Sequence, residues 1–386
     1  MEATWIELDQ KALKQNIRYL QKRLGAKCKF CSVIKGNAYG HGIEQFVPMA
    51  EECGIDYFAV FDVYEAQAAA KVKKASSELM IMGMIMPQEM EWVITQQVSF
   101  FVFNLERLHL ALQTARKLQL KARIHLELET GLNRTGFEEQ ELPQVIELLK
   151  ANRRYFSLEG VCTHYAGAES VANYLRIQAQ IKKFKELNRN LRREGIKAKY
   201  RHTACSAAAL NYPETRMDMV RLGIAQYGYW PNNETKMYNL LSHETKFTRN
   251  PLRQVISWKS RIMSIKEVAA GKFVSYGDSY LTDKATRIAT IPVGYFHGYR
   301  RSLSNLGTVL IAGREVRIIG SINMNMMIAN LNGMNKVEIG DEVVLVGSQK
   351  RKKITIASFS DRSNLVNYEL LTRIPAQLKR LVINPK

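Results

Sequence analysis

The sequence predicts an α/β chain, a (β/α)8 barrel over residues 9–240 followed by a mostly β domain over residues 250–386. Three observations carry this prediction. Short β-prone apolar runs alternate with stretches of helical periodicity as far as residue 221, and such alternation implies right-handed parallel βαβ units. Roughly eight of these runs fall within about 220 residues, which fits a closed barrel better than an open doubly wound sheet. Beyond residue 251 helical periodicity largely vanishes, and glycines punctuate strands instead. No Gly-x-Gly-x-x-Gly opens a helix after a strand, which weakens a dinucleotide-binding reading of the same alternation.

In chain order, residues 5–8 read as a strand and Asp9 as an N-cap. Leu13, Ile17, Leu20 and Leu24 then recur at helical spacing until Gly25 stops them. Strand 29–34 ends at Lys35 and a glycine-rich turn. The series continues with strand 57–61 and helix 63–75, strand 79–84 and helix 88–97, and strand 98–103 and helix 106–118. Strand 122–128 with helix 141–151, strand 158–163 with helix 171–195, and short strands at 200–203 and 217–221 complete it. Trp230-Pro231-Asn232-Asn233 is turn chemistry, and a linker is expected near 235–250. Strands are expected at 255–265, 286–292, 308–312, 314–320, 326–330 and 342–346, with turns at Gly307, Gly313 and Gly340-Asp341. The first strand, within 1–8, is expected to join this second domain.

Bulk properties bound the function. A chain of 386 residues with 46% hydrophobic and 24% charged residues can build the cores of two domains. No run of about 18 apolar residues occurs, so no membrane span is expected. Residues 1–7 lack the basic-then-apolar pattern of a signal peptide. The five cysteines are odd in number and sit in apolar contexts, which fits a reduced, cytoplasmic interior. Cys28-x-x-Cys31 has redox or zinc spacing, but no second pair completes a site, so no metal is expected. The net charge of +20 would suit an anionic partner. Its basic clusters, 71–74 and 350–353, are short and lack interleaved aromatics, so a solvated basic surface and no nucleic-acid partner are expected.

In a barrel, chemistry lies at the C-terminal ends of the strands. That rule selects Lys35, Arg134, His164, Ser206, and Arg221 with Gly223. A lysine closing a buried strand is partly desolvated, which lowers its amine pKa and lets it act as a nucleophile. Each of these residue types is common in ordinary loops; their gathering on one rim is what suggests a site.

The stretch Val33-Ile34-Lys35-Gly36-Asn37-Ala38-Tyr39-Gly40-His41-Gly42 resembles the pyridoxal-phosphate lysine motif of the alanine racemase family. The resemblance runs nearly the whole chain. It implies pyridoxal 5′-phosphate as cofactor, with Lys35 as its Schiff-base lysine and Tyr39 beside it. Residues 125–137 resemble the segment whose arginine reaches the cofactor's phenolic oxygen and the substrate, a role that falls on Arg134. Residues 163–166 resemble the segment whose histidine packs on the pyridine ring, here His164. Residues 202–208 resemble a phosphate-binding segment, with Ser206 as hydroxyl donor. In the stretch 218–228 Arg221 would hydrogen-bond the pyridine nitrogen, and the Gly223 and Ile224 amides would hold the phosphate, a sound choice of donor for an anion. An arginine does not practically give up its proton (pKa above about 12). It would keep the ring nitrogen unprotonated, weaken the ring as an electron sink, and favour racemisation over transamination.

In the second domain, residues 273–280 resemble the segment carrying the family's catalytic tyrosine, here Tyr276. Tyr295 falls near the implied active-site entrance, the Met324 amide would meet the substrate carboxylate, and Tyr368 would contact phosphate and narrow the pocket. Together with Tyr39 these residues would favour a small side chain. The resemblance thus implies a homodimer with shared active sites, in which Lys35 serves one face of the α-carbon and Tyr276 of the partner subunit the other. The implied substrate is alanine, a small-molecule amino acid, and the product D-alanine would feed peptidoglycan in the cytoplasm.

Four positions depart from the family. Glu127 stands where many members carry a carbamylated lysine, and would supply that negative charge directly beside Arg134. Glu129 replaces a shorter aspartate, and His297 and Asn325 stand where aspartate is usual. These departures keep two alternatives open: a racemase for another amino acid, such as serine, or of broad specificity, and a cofactor-binding homologue without turnover. A related decarboxylase fits less well, because the β domain shows no cysteine-based catalytic segment resembling theirs.

Overall fold

In a computed structural model, residues 2–241, 250–356 and 367–385 are described. The chain divides into two compact units. One comprises Met1–Lys11, Asn37–Gln45 and Gln254–Lys386, the other Ala12–Gly36 and Phe46–Arg253. Residues 37–45, which the sequence places in the barrel stretch, group with the strand-rich unit.

Strand β1 (Thr4–Asp9) belongs to the strand-rich unit. The other unit holds β2 (Lys29–Val33), β3 (Tyr57–Val60), β4 (Glu78–Ile81), β5 (Ser99–Val102), β6 (Ala122–Glu127), β7 (Phe156–Cys162), β8 (Tyr200–His202) and β9 (Met219–Leu222). These eight strands run in the order β8-β7-β6-β5-β4-β3-β2-β9, and each adjacent pair is parallel. Asp218 N donates to Arg201 O and Arg221 N to Ala204 O, both at 3.1 Å, so the two edges meet and the barrel is nearly closed. Burial on both faces explains the near-continuous apolar runs: all four residues of β3 are buried.

The connecting helices start and stop where local chemistry dictates. Asn104 caps the helix Leu105–Leu118 by accepting from Arg107 N at 3.0 Å, and Gln119 ends it in a left-handed conformation. That helix buries Leu108, Ala111, Leu112 and Ala115, one stripe at helical spacing. Two expectations need correction. Asn232, read as a turn residue, is an N-cap, accepting from Thr235 N at 2.8 Å; the helix Asn233–Leu241 therefore occupies the start of the expected linker, and 242–249 lie outside the described residues. The last barrel strand is Met219–Leu222 rather than 217–221, so Arg221 lies inside the strand and Gly223 is the first residue after it.

The strand-rich unit contains β10 (Ile256–Arg261), β11 (Ser264–Val268), β12 (Thr286–Ile291), β13 (Thr308–Ile311), β14 (Arg314–Arg317), β15 (Met327–Asn330), β16 (Glu342–Gln349), β17 (Lys352–Ile354) and β18 (Arg380–Ile383). One sheet runs β14-β13-β16-β10-β1-β18, with β17 paired to β16; a second runs β11-β12-β15. β1 pairs antiparallel with β10 and parallel with β18. The single strand expected at 255–265 is two strands in different sheets. Ile262 N bonds Asp341 O at 3.0 Å while the next amide, Met263 N, bonds Thr290 O at 2.8 Å, so consecutive residues serve separate sheets. A short helix, Asn367–Thr372, falls between β17 and β18 in the chain.

Candidate functional site

The segment after Lys35 is a turn of left-handed helix rather than an ordinary glycine turn. Gly36, Asn37, Ala38, Tyr39 and Gly40 all have positive φ, between 51° and 77°. Such a run costs about 1–2 kcal/mol at each residue with a Cβ, so the surroundings must hold it in place. Asn37 Oδ1 accepts from Ile43 N at 2.9 Å, and the buried His41 uses Nδ1 to reach both Ala38 O and Tyr39 O at 3.0 Å. The Arg380 guanidinium donates to Gly40 O at 2.9 and 3.2 Å. A Cβ at Gly40 would lie 1.9 Å from the Leu371 carbonyl oxygen. Gly40→Ala is therefore expected to destabilise the protein by at least about 3 kcal/mol in denaturant unfolding.

At the barrel mouth, Lys35 follows β2, Arg134 lies in the loop after β6, His164 follows β7, Ser206 opens a helix after β8, and Arg221 projects from β9. Lys35 is exposed at the mouth, yet it is crowded by protein. The protein around it removes much of its hydration, and the Arg134 and Arg221 cations add to that effect, so its amine pKa is lowered. Arg221 is buried and is held by acceptors at the strand ends. Nη1 donates to His202 Nδ1 and to His202 O, both at 2.6 Å. Nη2 donates to Thr163 O at 2.8 Å, to Thr203 O at 3.3 Å and to His164 Nδ1 at 3.4 Å. The Nε–H has no partner among the described residues.

Ser206 Oγ accepts from Gly223 N at 3.1 Å, which ties the helix after β8 to the residue after β9. The neighbouring Ile224 amide has no acceptor among the described residues. Two carboxylates stand by the Arg134 loop. Glu129 accepts from the backbone amides of Gly131, of Asn133 at 2.9 Å and of Arg134 at 3.3 Å. Burial works to raise its carboxyl pKa, but these amides outweigh it and hold the pKa low; the longer side chain at this position thus braces the loop that presents Arg134. Glu127 is buried, and burial raises its carboxyl pKa against the opposing pull of the Thr135 hydroxyl and the Arg221 and Arg134 charges.

Three histidines on the barrel strands or just beyond them are held neutral. Burial pushes His164 and His125 down to about 3, helped by nearby cations, and it likewise holds His202 well below the usual imidazole value. A pKa depressed in the folded state means that unfolded chains bind more protons below the unfolded value near 6.5. Stability is full above that pH and is lost as pH falls toward about 3, by about 1.4 kcal/mol per imidazole per pH unit. The melting temperature is expected to drop steeply between about pH 6.5 and about pH 5. Substituting His125 by an uncharged residue should flatten that drop, after allowance for its own effect on stability.

The strand-rich unit gathers a second group. Tyr295 N donates to Asn323 O and Phe296 N to Met324 O, both at 3.0 Å, which sets Tyr295 and Met324 on adjoining loops. Ser275 Oγ donates to Ser321 O at 2.7 Å, and Ser321 Oγ to Tyr276 O at 2.8 Å, so Tyr276 belongs to the same cluster. Tyr276 is 73% exposed, and Phe273, Phe296, Met324 and Met326 of the same unit are exposed as well. Tyr39 packs edge-on against Tyr368, with ring centroids 6.2 Å apart. His297 Nδ1 accepts from Gly294 N at 3.2 Å, and Asn325 is exposed. Sequence reasoning assigned no role to His125, His202 or Tyr57, the polar side chains inside the barrel. The available signal was a histidine inside each of two barrel strands.

The family described as "Alanine racemase, N-terminal domain" matches residues 8–231, and "Alanine racemase, C-terminal domain" matches residues 255–382. An alanine racemase of Leptospira interrogans is 33% identical over 386 residues, covering 99% of this chain and 96% of that protein. One from Carboxydothermus hydrogenoformans is also 33% identical, covering 99% of this chain and all of that protein (100%). The crystal structure of an alanine racemase from Streptomyces lavendulae superposes with a TM-score of 0.90 at 28% identity, covering 100% of this chain and 98% of that one.

Proposed function

We propose, from the premise that this chain belongs to the alanine racemase family, that it interconverts L- and D-alanine with pyridoxal 5′-phosphate as cofactor and Lys35 and Tyr276 as its two acid–base groups. Membership makes it an isomerase of the alanine racemase type. The observation that carries the proposal is the pairing, on one rim, of a lysine with lowered pKa and a buried arginine whose Nε–H is unpaired among the described residues.

The donor set fits the cofactor. Lys35 offers an amine that spends more time neutral than an ordinary lysine, as covalent attachment requires. The Arg221 Nε–H suits a ring nitrogen, while the Ile224 amide and the Ser206 hydroxyl suit a phosphate. When bound, pyridoxal 5′-phosphate supplies a carbonyl carbon for covalent capture of amines and a ring that withdraws electrons from the substrate α-carbon. Arg221 holds its proton and so caps the ring's electron demand. His164, kept neutral, would pack on the ring, and Arg134 would hold its phenolic oxygen.

Lys35 moves the α-proton on its own face, and Tyr276 of the partner subunit moves it on the other. The Met324 amide holds the substrate carboxylate, and Tyr39, Tyr295 and Tyr368 restrict the side chain to a small one. The exposed aromatic and methionine side chains of this unit, Tyr276 among them, support a homodimer, because exposed apolar surface is what association covers. Among the described residues no helix is long and apolar enough to cross a membrane. The product would supply D-alanine for peptidoglycan in the cytoplasm.

Glu127 would keep Arg134 oriented without a carbamate. Glu127→Gln is expected to lower racemisation roughly tenfold and to shift the bound cofactor's absorption; unchanged activity and spectrum would remove that role. The whole proposal is tested by α-hydrogen exchange in D2O, followed by NMR across a panel of L-amino acids with protein and cofactor. Exchange confined to alanine, with D-alanine appearing, is expected. Exchange mainly with another amino acid would transfer the activity to that substrate and point to His297 and Asn325. No exchange despite bound cofactor would leave a binding protein without turnover.

A further inference from the structure

Beneath the rim, a line of polar side chains crosses the barrel interior, none of them in the acid–base or cofactor roles given above. Arg221 Nη1 meets His202 Nδ1 at 2.6 Å, and His202 Nε2 meets His125 Nδ1 at 2.8 Å. His125 Nε2 meets Tyr57 Oη at 3.2 Å, Tyr57 Oη meets Ser99 Oγ at 3.3 Å, and Ser99 Oγ donates to Leu79 O at 3.1 Å. Tyr57, Ser99, His125 and His202 have no measurable solvent exposure, at 0% each.

The direction of every bond in this line follows from its ends. A guanidinium only donates, so His202 Nδ1 accepts and its single proton lies on Nε2. His202 then donates to His125 Nδ1, and the His125 proton lies on Nε2 as well. From the far end, a carbonyl only accepts, so the Ser99 hydroxyl spends its proton on Leu79 O and must accept from Tyr57. Tyr57 has then spent its proton and must accept from His125. Both ends impose the same polarity. Burial keeps both imidazoles neutral and the Tyr57 phenol protonated, as the scheme requires.

A second observation shows that this line is built into the strands. His125 and Gly160 are register partners on β6 and β7, next to an irregularity between Ile124 and His125. A Cβ at Gly160 would lie 2.2 Å from His125 Nδ1 and 2.6 Å from His202 Nε2, too close to both ends of the bond between the imidazoles. Gly160 has no positive φ that would require glycine. Space for the His125–His202 contact is its physical reason. Phe101 flanks both rings, with centroids 6.0 and 5.9 Å away, and lies 5.9 Å from the Arg221 guanidinium carbon.

We infer that Tyr57, His125 and His202, with the gap at Gly160, form a one-directional hydrogen-bond line that positions Arg221. It occupies Nη1, fixes the guanidinium plane, and offers Arg221 only lone pairs, so the buried cation is stabilised by neutral acceptors. All three are positioning residues acting through Arg221. The consequence for the cofactor ring rests on the function proposed above, whereas the polarity of the line does not.

The test is imidazole nitrogen NMR on 15N-histidine-labelled holoprotein, with signals assigned from single histidine variants. His125 and His202 are expected to be neutral Nε2–H tautomers, unchanged between about pH 5 and about pH 9. An Nδ1–H tautomer or a charged ring at either position would overturn the inference. Gly160→Ala is expected to remove the His125–His202 coupling, lower kcat for alanine by on the order of a hundredfold with little change in KM, and shift the bound cofactor's absorption.

Should that variant not fold, His202→Asn and His202→Leu answer the same question. Asparagine keeps an acceptor for Arg221 but cannot reach His125; leucine loses both. Retention of the cofactor spectrum in the order wild type, Asn, Leu is expected. Identical spectra in all three would overturn the positioning role. Absence of α-hydrogen exchange in wild type, with the tautomers as stated, would refute the proposed activity and leave the line standing.

Discussion

Lys35→Ala is expected to abolish racemisation, by on the order of 10⁴-fold or more, while leaving the fold intact. The side chain is exposed and makes no hydrogen bond among the described residues, so nothing structural depends on it. Its amine is nevertheless tuned: lost hydration and two neighbouring guanidinium groups destabilise the ammonium form. The variant should melt near the wild-type temperature in the absence of cofactor. It should bind pyridoxal 5′-phosphate reversibly, lose the absorption of the covalent link, and regain some α-hydrogen exchange when a small primary amine is added. Full activity in Lys35→Ala would move the nucleophile elsewhere on the rim.

Tyr276→Phe is expected to lower racemisation by about 10²–10⁴-fold, and to do so unequally for the two enantiomers. The hydroxyl is exposed and forms no hydrogen bond among the described residues, so its removal leaves the loop held through Tyr276 O and Ser321 Oγ. If two groups serve opposite faces, the variant keeps α-hydrogen exchange on the Lys35 face. One enantiomer would then exchange its α-hydrogen with D2O without inverting. Equal loss of exchange from L- and D-alanine would speak for a single base. Mixing Tyr276→Phe with Lys35→Ala protein offers a further check: if sites are shared between subunits, mixed dimers regain an intact site and activity rises above that of either variant alone.

Much of the site was legible because a barrel turns strand ends into geometry. Lys35, Arg134, His164 and Ser206 each follow an apolar run, and the structure places all of them beyond the C-terminal ends of strands β2, β6, β7 and β8. Arg221 was found for the same reason, although it lies within β9 and reaches the mouth through its long side chain. Harder to read was anything in which one local signal has two meanings. Asn232 serves equally as turn residue and N-cap, and only the hydrogen bond to Thr235 N decides between them. Residues 255–265 are uniformly β-prone, so nothing local marks the point where Ile262 and Met263 turn to different sheets.

Sequence by itself determined the alternation of strands and helices, the change to strands after residue 251, and the residue types carried by the rim, because hydrophobic period and residue chemistry are local properties. Tertiary structure alone decided three things. It placed left-handed backbone at Asn37, Ala38 and Tyr39, which no propensity favours and which His41, Arg380 and the Leu371 carbonyl enforce from around it. It gave Glu129 its use, as acceptor for the loop amides that present Arg134. It also joined Tyr57, His125, His202 and Arg221, residues far apart in the chain, through a gap that exists because Gly160 has no side chain. The physical reason is common to all three. A strained backbone or a buried polar group is stable only when partners from other strands and loops satisfy it, and those partners are fixed by packing rather than by neighbours in sequence.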